Sequence, residues 1–262
     1  MSWLGVDLGG TWLRIGDDAP VPVAGLGPDG VMARIADAAR SGGHGGAAIS
    51  FAGWIGRNGR TINAGPNLGW GPVDLSAMAA GHGLDLHLEN DLDARAWGEF
   101  MAWDGDGDLM VINAGSGFAV GLVCGGQLLR GAHRRAGEVG HLRMAEDGRC
   151  GCGSEGCVEA LLGGAHHQPE RFDEPRFVAR WLDRACAVVA PVIAAFDPAH
   201  VIATGGIFDA RPELVAAFQR QLIERLPEAW WGELVLHPSA GGEALARVGA
   251  VALASNRGPA DD

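Results

Sequence analysis

The chain contains no lysine and no tyrosine, so all 20 of its basic residues are arginine. Without lysine, the phosphate loop that ends in Gly-Lys-Ser/Thr is excluded; we read the arginine bias as coding preference rather than chemistry. Basic residues are also in the minority, 20 against 32 acidic, for a net charge of −12. No arginine-rich stripe offsets that balance, which argues against nucleic acid or an anionic membrane as the main partner. Long apolar runs are scarce as well. The weakly charged stretch Leu109–Gly126 is broken by Asn113, Ser116 and its glycines, so it reads as two buried strands joined by a turn rather than a membrane span. The first residues, Met1 to Asp7, lack the basic end and apolar run of a signal peptide. Five cysteines in such a chain point to a reduced, cytoplasmic protein, where three of them within eight residues read as metal ligands before disulfides.

What is present is a glycine-rich globular chain. It has 262 residues, 47% of them apolar, enough for one large domain or two modest ones. The 43 glycines fall singly or in pairs with no three-residue period, which excludes collagen and implies many tight turns. Apolar patterning predicts strands at Trp3–Leu8, Thr11–Ile15, Ala47–Phe51 and Leu84–Leu88 in the first half. Helices are predicted from Val31 to Gly42, near Asp74–Ala80, and from Glu89-Asn90-Asp91 onward with Leu92, Ala96 and Phe100 on one face. At Leu109 the pattern restarts. Leu109–Gly117 repeats the logic of Leu4–Thr11, an apolar strand, a polar residue and a glycine-hydroxyl turn, and a second strand (Phe118–Val123) follows. A long helix at Phe177–Phe196, a strand at Val201–Thr204, and helices near Pro212–Leu226 and Gly242–Ser255 complete an α/β chain with largely parallel sheets. The expected division is an N-terminal lobe at 1–108 and a C-terminal lobe at 109–241 that carries the cysteine loop. A C-terminal helix at about 242–257 is expected to pack back on the first lobe.

Three constellations could carry chemistry. The first is the pair of turns, Gly9-Gly10-Thr11 and Gly115-Ser116-Gly117. Backbone N–H groups of such turns can converge on phosphate oxygens, with Thr11 and Ser116 adding hydroxyls. Either turn alone also fits an ordinary hairpin. Asp7 stands two residues before the first, placed to hold Mg²⁺ directly or through water. The second is His141 with Cys150, Cys152 and Cys157, one imidazole and three thiols within seventeen residues. Such a set satisfies tetrahedral Zn²⁺ and leaves no open position, so the metal would be structural. Cys124 and Cys186 lie in strand and helix patterns and are expected in the core. The third is Glu89-Asn90-Asp91, a carboxylate where a strand feeds a helix, at the sheet end that binds ligands in α/β proteins. A helix N-terminus would favour its ionised form; a simple N-cap fits the same residues.

Taken in order, these segments resemble the ROK family of sugar kinases and repressors, bacterial glucokinases among them. Asp7–Thr11 with Arg14 is similar to the family's first phosphate motif, and Pro66-Asn67-Leu68-Gly69-Trp70 to its Asn-Leu-x-x-Trp segment. Glu89-Asn90-Asp91 resembles the catalytic-aspartate helix, and Gly115-Ser116-Gly117 the second phosphate motif. Glu138-Val139-Gly140-His141 through Cys157-Val158-Glu159 resembles the zinc and sugar signature, and Gly205-Gly206 the adenosine motif. The resemblance implies a two-lobed actin-like ATPase (ribonuclease H-like) fold with a ligand cleft between the lobes, sugar and phosphate elements in the first lobe and ATP-binding elements in the second. It implies ATP-dependent phosphorylation of a hexose, with ATP, Mg²⁺ and structural Zn²⁺, and a homodimer. Asp91 would be the base. Asn67, Asn90, Asp91, Glu138, His141 and Glu159 would bind sugar, while Asp7, Gly9, Gly10, Thr11, Gly115, Ser116, Gly117, Gly205 and Gly206 would bind nucleotide. The chain departs from the family at Ser50-Phe51-Ala52-Gly53, where Gly-x-Pro-Gly is usual, and is shorter between Gly164 and Phe177. Glucose is the default substrate by resemblance; fructose, mannose, amino or N-acetylated sugars and cyclitols stay open. A non-catalytic sugar sensor and a scaffold without nucleotide binding are the other readings, the first opposed by a phosphate motif that begins by residue 5.

Overall fold

The computed structural model describes residues 1–227, 229 and 234–256. It divides into two compact units. The first is 1–102 with 130–135 and the C-terminal residues from 243, and the second is 103–129 with 136–242.

In the first unit, β1 (Trp3–Leu8) turns through Gly9 and Gly10 into β2 (Trp12–Ile15) and then β3 (Val21–Pro22). The chain crosses over through α1 (Pro28–Gly42) to β4 (Gly46–Phe51). α1 forms because Pro28 fixes its first turn and Val31, Met32, Ile35, Ala36 and Ala39 make one buried stripe; Gly43 closes it in the left-handed conformation. After β4 come β5 (Trp54–Ile55), β6 (Thr61–Ala64) and β7 (Val73–Asp74), a small antiparallel sheet in the Gly- and Asn-rich stretch where sequence patterning predicts no strand. These strands are two to four residues long, too short to show a period. The Asp74 side chain then caps α2 (Leu75–Gly81). The unit continues with β8 (Asp85–Asn90) and α3 (Asp91–Ala102). Glu89 and Asn90 therefore end a strand, and the helix begins only at Asp91. The main sheet runs β3-β2-β1-β4-β8, with β1, β4 and β8 parallel.

The second unit repeats this path. β9 (Leu109–Ala114), β10 (Phe118–Cys124) and β11 (Gln127–Leu128) form the antiparallel meander. Then come α4 (Val158–Leu162), α5 (Pro175–Phe196), β12 (His200–Thr204), α6 (Gly206–Ala210), α7 (Glu213–Ile223) and β13 (Leu236–Pro238). The sheet order is β11-β10-β9-β12-β13, the same winding as in the first unit. The repeat read from about a dozen residues therefore extends through five strands.

Each sheet has its own core. Leu8, Leu13, Ile35, Ile49 and Phe51 fill the first, and Phe118, Trp181, Val189 and Phe218 the second, where Trp181 meets Phe118, Phe172 and Phe208 edge to face. Truncating such a residue costs about 3–5 kcal/mol for a large aromatic. The last helix, α8 (Ala244–Ser255), packs on α3, β1 and β4. Its approach to α3 needs glycine on both sides: a Cβ at Gly249 would lie 1.8 Å from Ala94 O, and one at Gly98 2.2 Å from Leu245 O. Residue 257, the end of the predicted C-terminal helix, lies outside the described residues.

Candidate functional site

The parallel strands of the first unit end in polar residues. The register aligns Asp7 with Ser50 and Ser50 with Glu89, then Phe51 with Asn90 one residue on. These are the carboxyl ends of parallel strands, the edge at which open α/β sheets bind ligands. Asp7 is held from two sides, by Arg14 Nη1 at 3.0 Å and by the Ser50 hydroxyl, which donates at 3.3 Å; Arg14 also reaches Glu243 at 2.9 Å. Burial still raises the Asp7 pKa, with Glu243 adding to the rise, although Arg14 opposes it. Asn67 stands on a 3-10 turn against the first glycine turn, where a Cβ at Gly10 would lie 2.5 Å from its own Cβ. Gly9 N–H closes that turn on Trp12 O, and Thr11 is exposed.

Asn90 and Asp91 divide the work at the start of α3. The Asn90 side-chain oxygen accepts from Leu92 N and Asp93 N, and its amide donates to Gly53 O, so it is an N-cap. That hydrogen bond also anchors the loop where Ser50-Phe51-Ala52-Gly53 departs from the family pattern. Asp91 accepts from Leu92 N at 2.9 Å. Its pKa is nonetheless pushed up to about 6, chiefly by burial and next by the Asp7 carboxylate, with Arg95 and the helix N–H groups opposing. The helix terminus favours ionisation as expected, but it is outweighed.

Glu89, which the sequence marks only as part of the motif, is fully buried and anchors a charge cluster. Arg130 donates to it through Nε at 2.9 Å, Arg134 pairs with its other oxygen, and His87 Nε2 lies 3.8 Å away. These arginines hold the Glu89 pKa low against the burial that would raise it. No sequence signal marks them, because they stand 41 and 45 residues downstream.

In the second unit the turn Gly115-Ser116-Gly117 is strapped from behind: Gly164 N–H donates to Gly115 O and Ala165 N–H to Ser116 O. Gly205, at φ +101°, lies so close to β9 that a Cβ would stand 2.6 Å from the Ala114 carbonyl carbon. The structure thus brings Gly205 and Gly206 beside this turn. Glu159 also reaches it, since a Cβ at Gly117 would lie 2.5 Å from Glu159 Oε2.

Glu159 connects the turn to the thiols, its Oε1 lying 3.4 Å from Cys150 Sγ. The donor atoms of His141, Cys150, Cys152 and Cys157 all fall within 4.8 Å of one another. Cys152 Sγ and Cys157 Sγ are 3.8 Å apart, and Cys150 Sγ is 3.5 Å from His141 Nδ1. With bonds of about 2.3 Å to sulfur and 2.0–2.1 Å to nitrogen, a tetrahedral zinc requires edges of about 3.8 and 3.5 Å. The residues fit the metal. The other imidazole nitrogen, Nε2, is 3.6 Å from Glu138 Oε2, so His141 has one nitrogen toward the thiols and one toward Glu138. Cys186 is buried as expected, whereas Cys124 is exposed: it ends β10, and its thiol lies 3.4 Å from Asp108 Oδ2.

Comparison with known proteins gives this arrangement its class. The model of the ROK family matches residues 28–168. A glucokinase of Streptomyces coelicolor is 30% identical over 266 residues, covering 79% of this chain and 82% of that one. Among solved structures, a ROK family glucokinase from Streptomyces griseus in complex with glucose and AMPPNP is 28% identical, covering 95% of this chain and 98% of that one with a TM-score of 0.75. A ROK hexokinase from Thermus thermophilus, 24% identical, covers 98% of this chain and all of its own with a TM-score of 0.79. The fold is that of the two-lobed actin-like ATPases. The chain belongs to the ROK family, and it is similar along most of its length to that family's glucokinases. No helix among the described residues is long and apolar enough to cross a membrane.

Proposed function

We propose that this protein transfers the terminal phosphoryl group of ATP to a hydroxyl of a hexose or closely related sugar, with Asp91 as the base that receives the hydroxyl proton. The observation that carries this reading is Asp91 itself. It is a shielded carboxylate at a helix start and sheet end, with its pKa lifted to about 6. Roughly nine-tenths of it is then ionised at neutral pH, close enough to the working pH to accept a proton and give it up again. In a loose phosphoryl-transfer transition state the main demand is an in-line oxygen, so aiming the hydroxyl matters more than stripping it early.

The remaining roles carry over residue by residue. Asn67, Asn90, Glu138, His141 and Glu159 would hold the other sugar hydroxyls. Asn90 already spends its oxygen on the α3 cap and its amide on Gly53, which leaves it to position Asp91 as much as to touch sugar. Gly9, Gly10 and Thr11, with Gly115, Ser116 and Gly117, would present N–H and hydroxyl donors to the phosphates, and Gly205 and Gly206 would admit the adenosine. Asp7 would meet the Mg²⁺ that accompanies ATP, and a cation there would relieve the repulsion between Asp7 and Asp91. His141, Cys150, Cys152 and Cys157 would hold Zn²⁺, which supplies rigidity and no open coordination position. Through it Glu138, His141 and Glu159 would keep one fixed geometry, as selective hydroxyl recognition requires.

The test is ADP release with a panel of hexoses, amino and N-acetylated sugars and cyclitols, comparing wild type with Asp91→Asn. The variant is expected to lose about 10²–10⁴-fold in kcat while retaining sugar binding by calorimetry. Equal turnover by the variant would remove Asp91 as base, and no turnover by wild type with any sugar would remove the kinase reading.

A further inference from the structure

A cavity of about 550 Å³ opens in the second unit beside the first turns of α5. It shares no residue with the glycine turns, the Asp91 site or the thiol cluster. Phe177, Arg180, Trp181 and Arg184 line it from α5, at the i, i+3, i+4 and i+7 spacing that puts them on one stripe. Leu161, Arg171 and the run His166-His167-Gln168 complete the lining.

The charge of this cavity is the reverse of the chain's. In a protein of net charge −12, three arginines converge on it and no carboxylate lines it. Of the acids nearest in sequence, Asp173 pairs with Arg211 at 2.8 Å and Asp183 with Arg225, both outside the cavity. Glu174 pairs with the cavity's own Arg171 at 3.3 Å and Glu170 is exposed, so the uncompensated positive charge is that of Arg180 and Arg184. Arg180 and Arg184 have no ion pair or side-chain hydrogen bond among the described residues. Like charges one helical turn apart repel each other, so the pair carries an unfavourable interaction that a bound anion would reverse. The opposite wall is already ordered. Arg171 lies over the Phe177 ring at 4.9 Å, and His167 donates from Nε2 to Leu161 O at 2.9 Å with its ring edge-on to Phe177. Guanidinium forks match phosphate oxygens in charge and shape. The volume falls within the ~300–1,000 Å³ usual for small-molecule sites.

We propose that this cavity is a second anion site, separate from the nucleotide and sugar residues, that takes a phosphate-bearing small molecule of about sugar-phosphate size with its phosphate held between Arg180 and Arg184. A phosphorylated metabolite could then act on the protein without occupying the donor or acceptor positions. The inference does not depend on the kinase reading, because its readout is binding.

Calorimetry on the full chain at constant ionic strength tests it. The probes are inorganic phosphate and glucose 6-phosphate, each with and without saturating AMPPNP. They are run on wild type, on Arg180→Ala/Arg184→Ala, and on the charge-retaining Arg180→Lys/Arg184→Lys. At least one probe is expected to bind wild type in the presence of AMPPNP, to weaken about tenfold or more in the alanine pair, and to weaken less in the lysine pair. Tighter binding of the ester would assign the site to a phosphorylated metabolite, and equal binding to the free ion. Unchanged affinity in the alanine pair, displacement by AMPPNP, or no binding of either probe at millimolar concentration would overturn the proposal. Both replaced side chains are exposed, so an unaltered circular dichroism spectrum is expected and separates loss of the site from loss of the fold.

Discussion

In the first unit, the residues at the sheet end are charged and are held by other charges: Asp7 by Arg14, and Glu89 by Arg130 and Arg134. The second, built on the same strand order, carries instead a loop in which three thiols and an imidazole converge, and under the proposed function a zinc ion there would supply the corresponding rigidity. The two solutions differ in what they ask of the surroundings. Ion pairs with buried Glu89 must offset desolvation with geometry and hydrogen bonds. A thiolate site depends on an external ion and fails without it. With zinc in the thiol site as proposed, the same fold would have one half whose local order is intrinsic and one whose local order is conditional on metal.

The largest effect should come from the conditional half. Cys152→Ser, or chelation of the wild type, is expected to strip zinc and release the segment from Glu138 to Glu159, because structural zinc binding is worth roughly 10–16 kcal/mol in isolated sites. Elemental analysis would read the metal, and hydrogen exchange would read the loop. Increased exchange should stay within that segment and leave β1, β4 and β8 protected. Sugar affinity should fall with it. Zinc-free protein with a protected loop and full affinity would break the contrast between the two halves.

Next in size is the intrinsic half. Glu89→Ala strands two arginines beside a buried position, and removing one partner of a buried pair costs about 3–5 kcal/mol. Urea unfolding should show that loss whether or not zinc is present. A loss below about 1 kcal/mol would mean that Arg130 and Arg134 turn to solvent freely, and the first half would then owe little to its ion pairs.

How much of this could be read from the chain alone follows from range. Strands with strong apolar runs, such as Leu109–Ala114, and helices with a clear buried stripe, such as α1 and α5, show themselves within a dozen residues. So does the thiol loop, because its ligands sit within seventeen residues. The small sheet of β5, β6 and β7 does not, since its strands are too short for a period and owe their pairing to contacts across loops. The Glu89 partners are hidden for the same reason. The exposed position of Cys124 was missed because an apolar strand pattern says nothing about which end residue faces out. The charged state of Asp91 at neutral pH is legible from the helix start, but its raised pKa is not, since burial and the neighbouring Asp7 lie outside the local sequence. Roles for the individual site residues came from family resemblance, and only their proximity within each unit comes from structure.

The smallest predicted effect concerns that balance and has an unusual sign. In the unfolded chain the Asp91 carboxyl should titrate near about 3.9, and in the folded protein it titrates at about 6. Between those values the native state binds more protons than the unfolded one, so the contribution of Asp91 to stability falls as pH rises through the window. Below about pH 4 both states are protonated and the penalty is absent; above about pH 6 it is full and constant, of order 3 kcal/mol. Asn at this position cannot ionise. Asp91→Asn should therefore match wild type in denaturation near pH 4 and exceed it by a growing margin up to pH 7, the reverse of what loss of a stabilising cap would give. Adding Mg²⁺ at neutral pH should narrow that margin by favouring the charged wild-type pair. A variant less stable than wild type at pH 7 would show that the carboxylate earns its place by capping α3, and that the repulsion from Asp7 is too weak to matter.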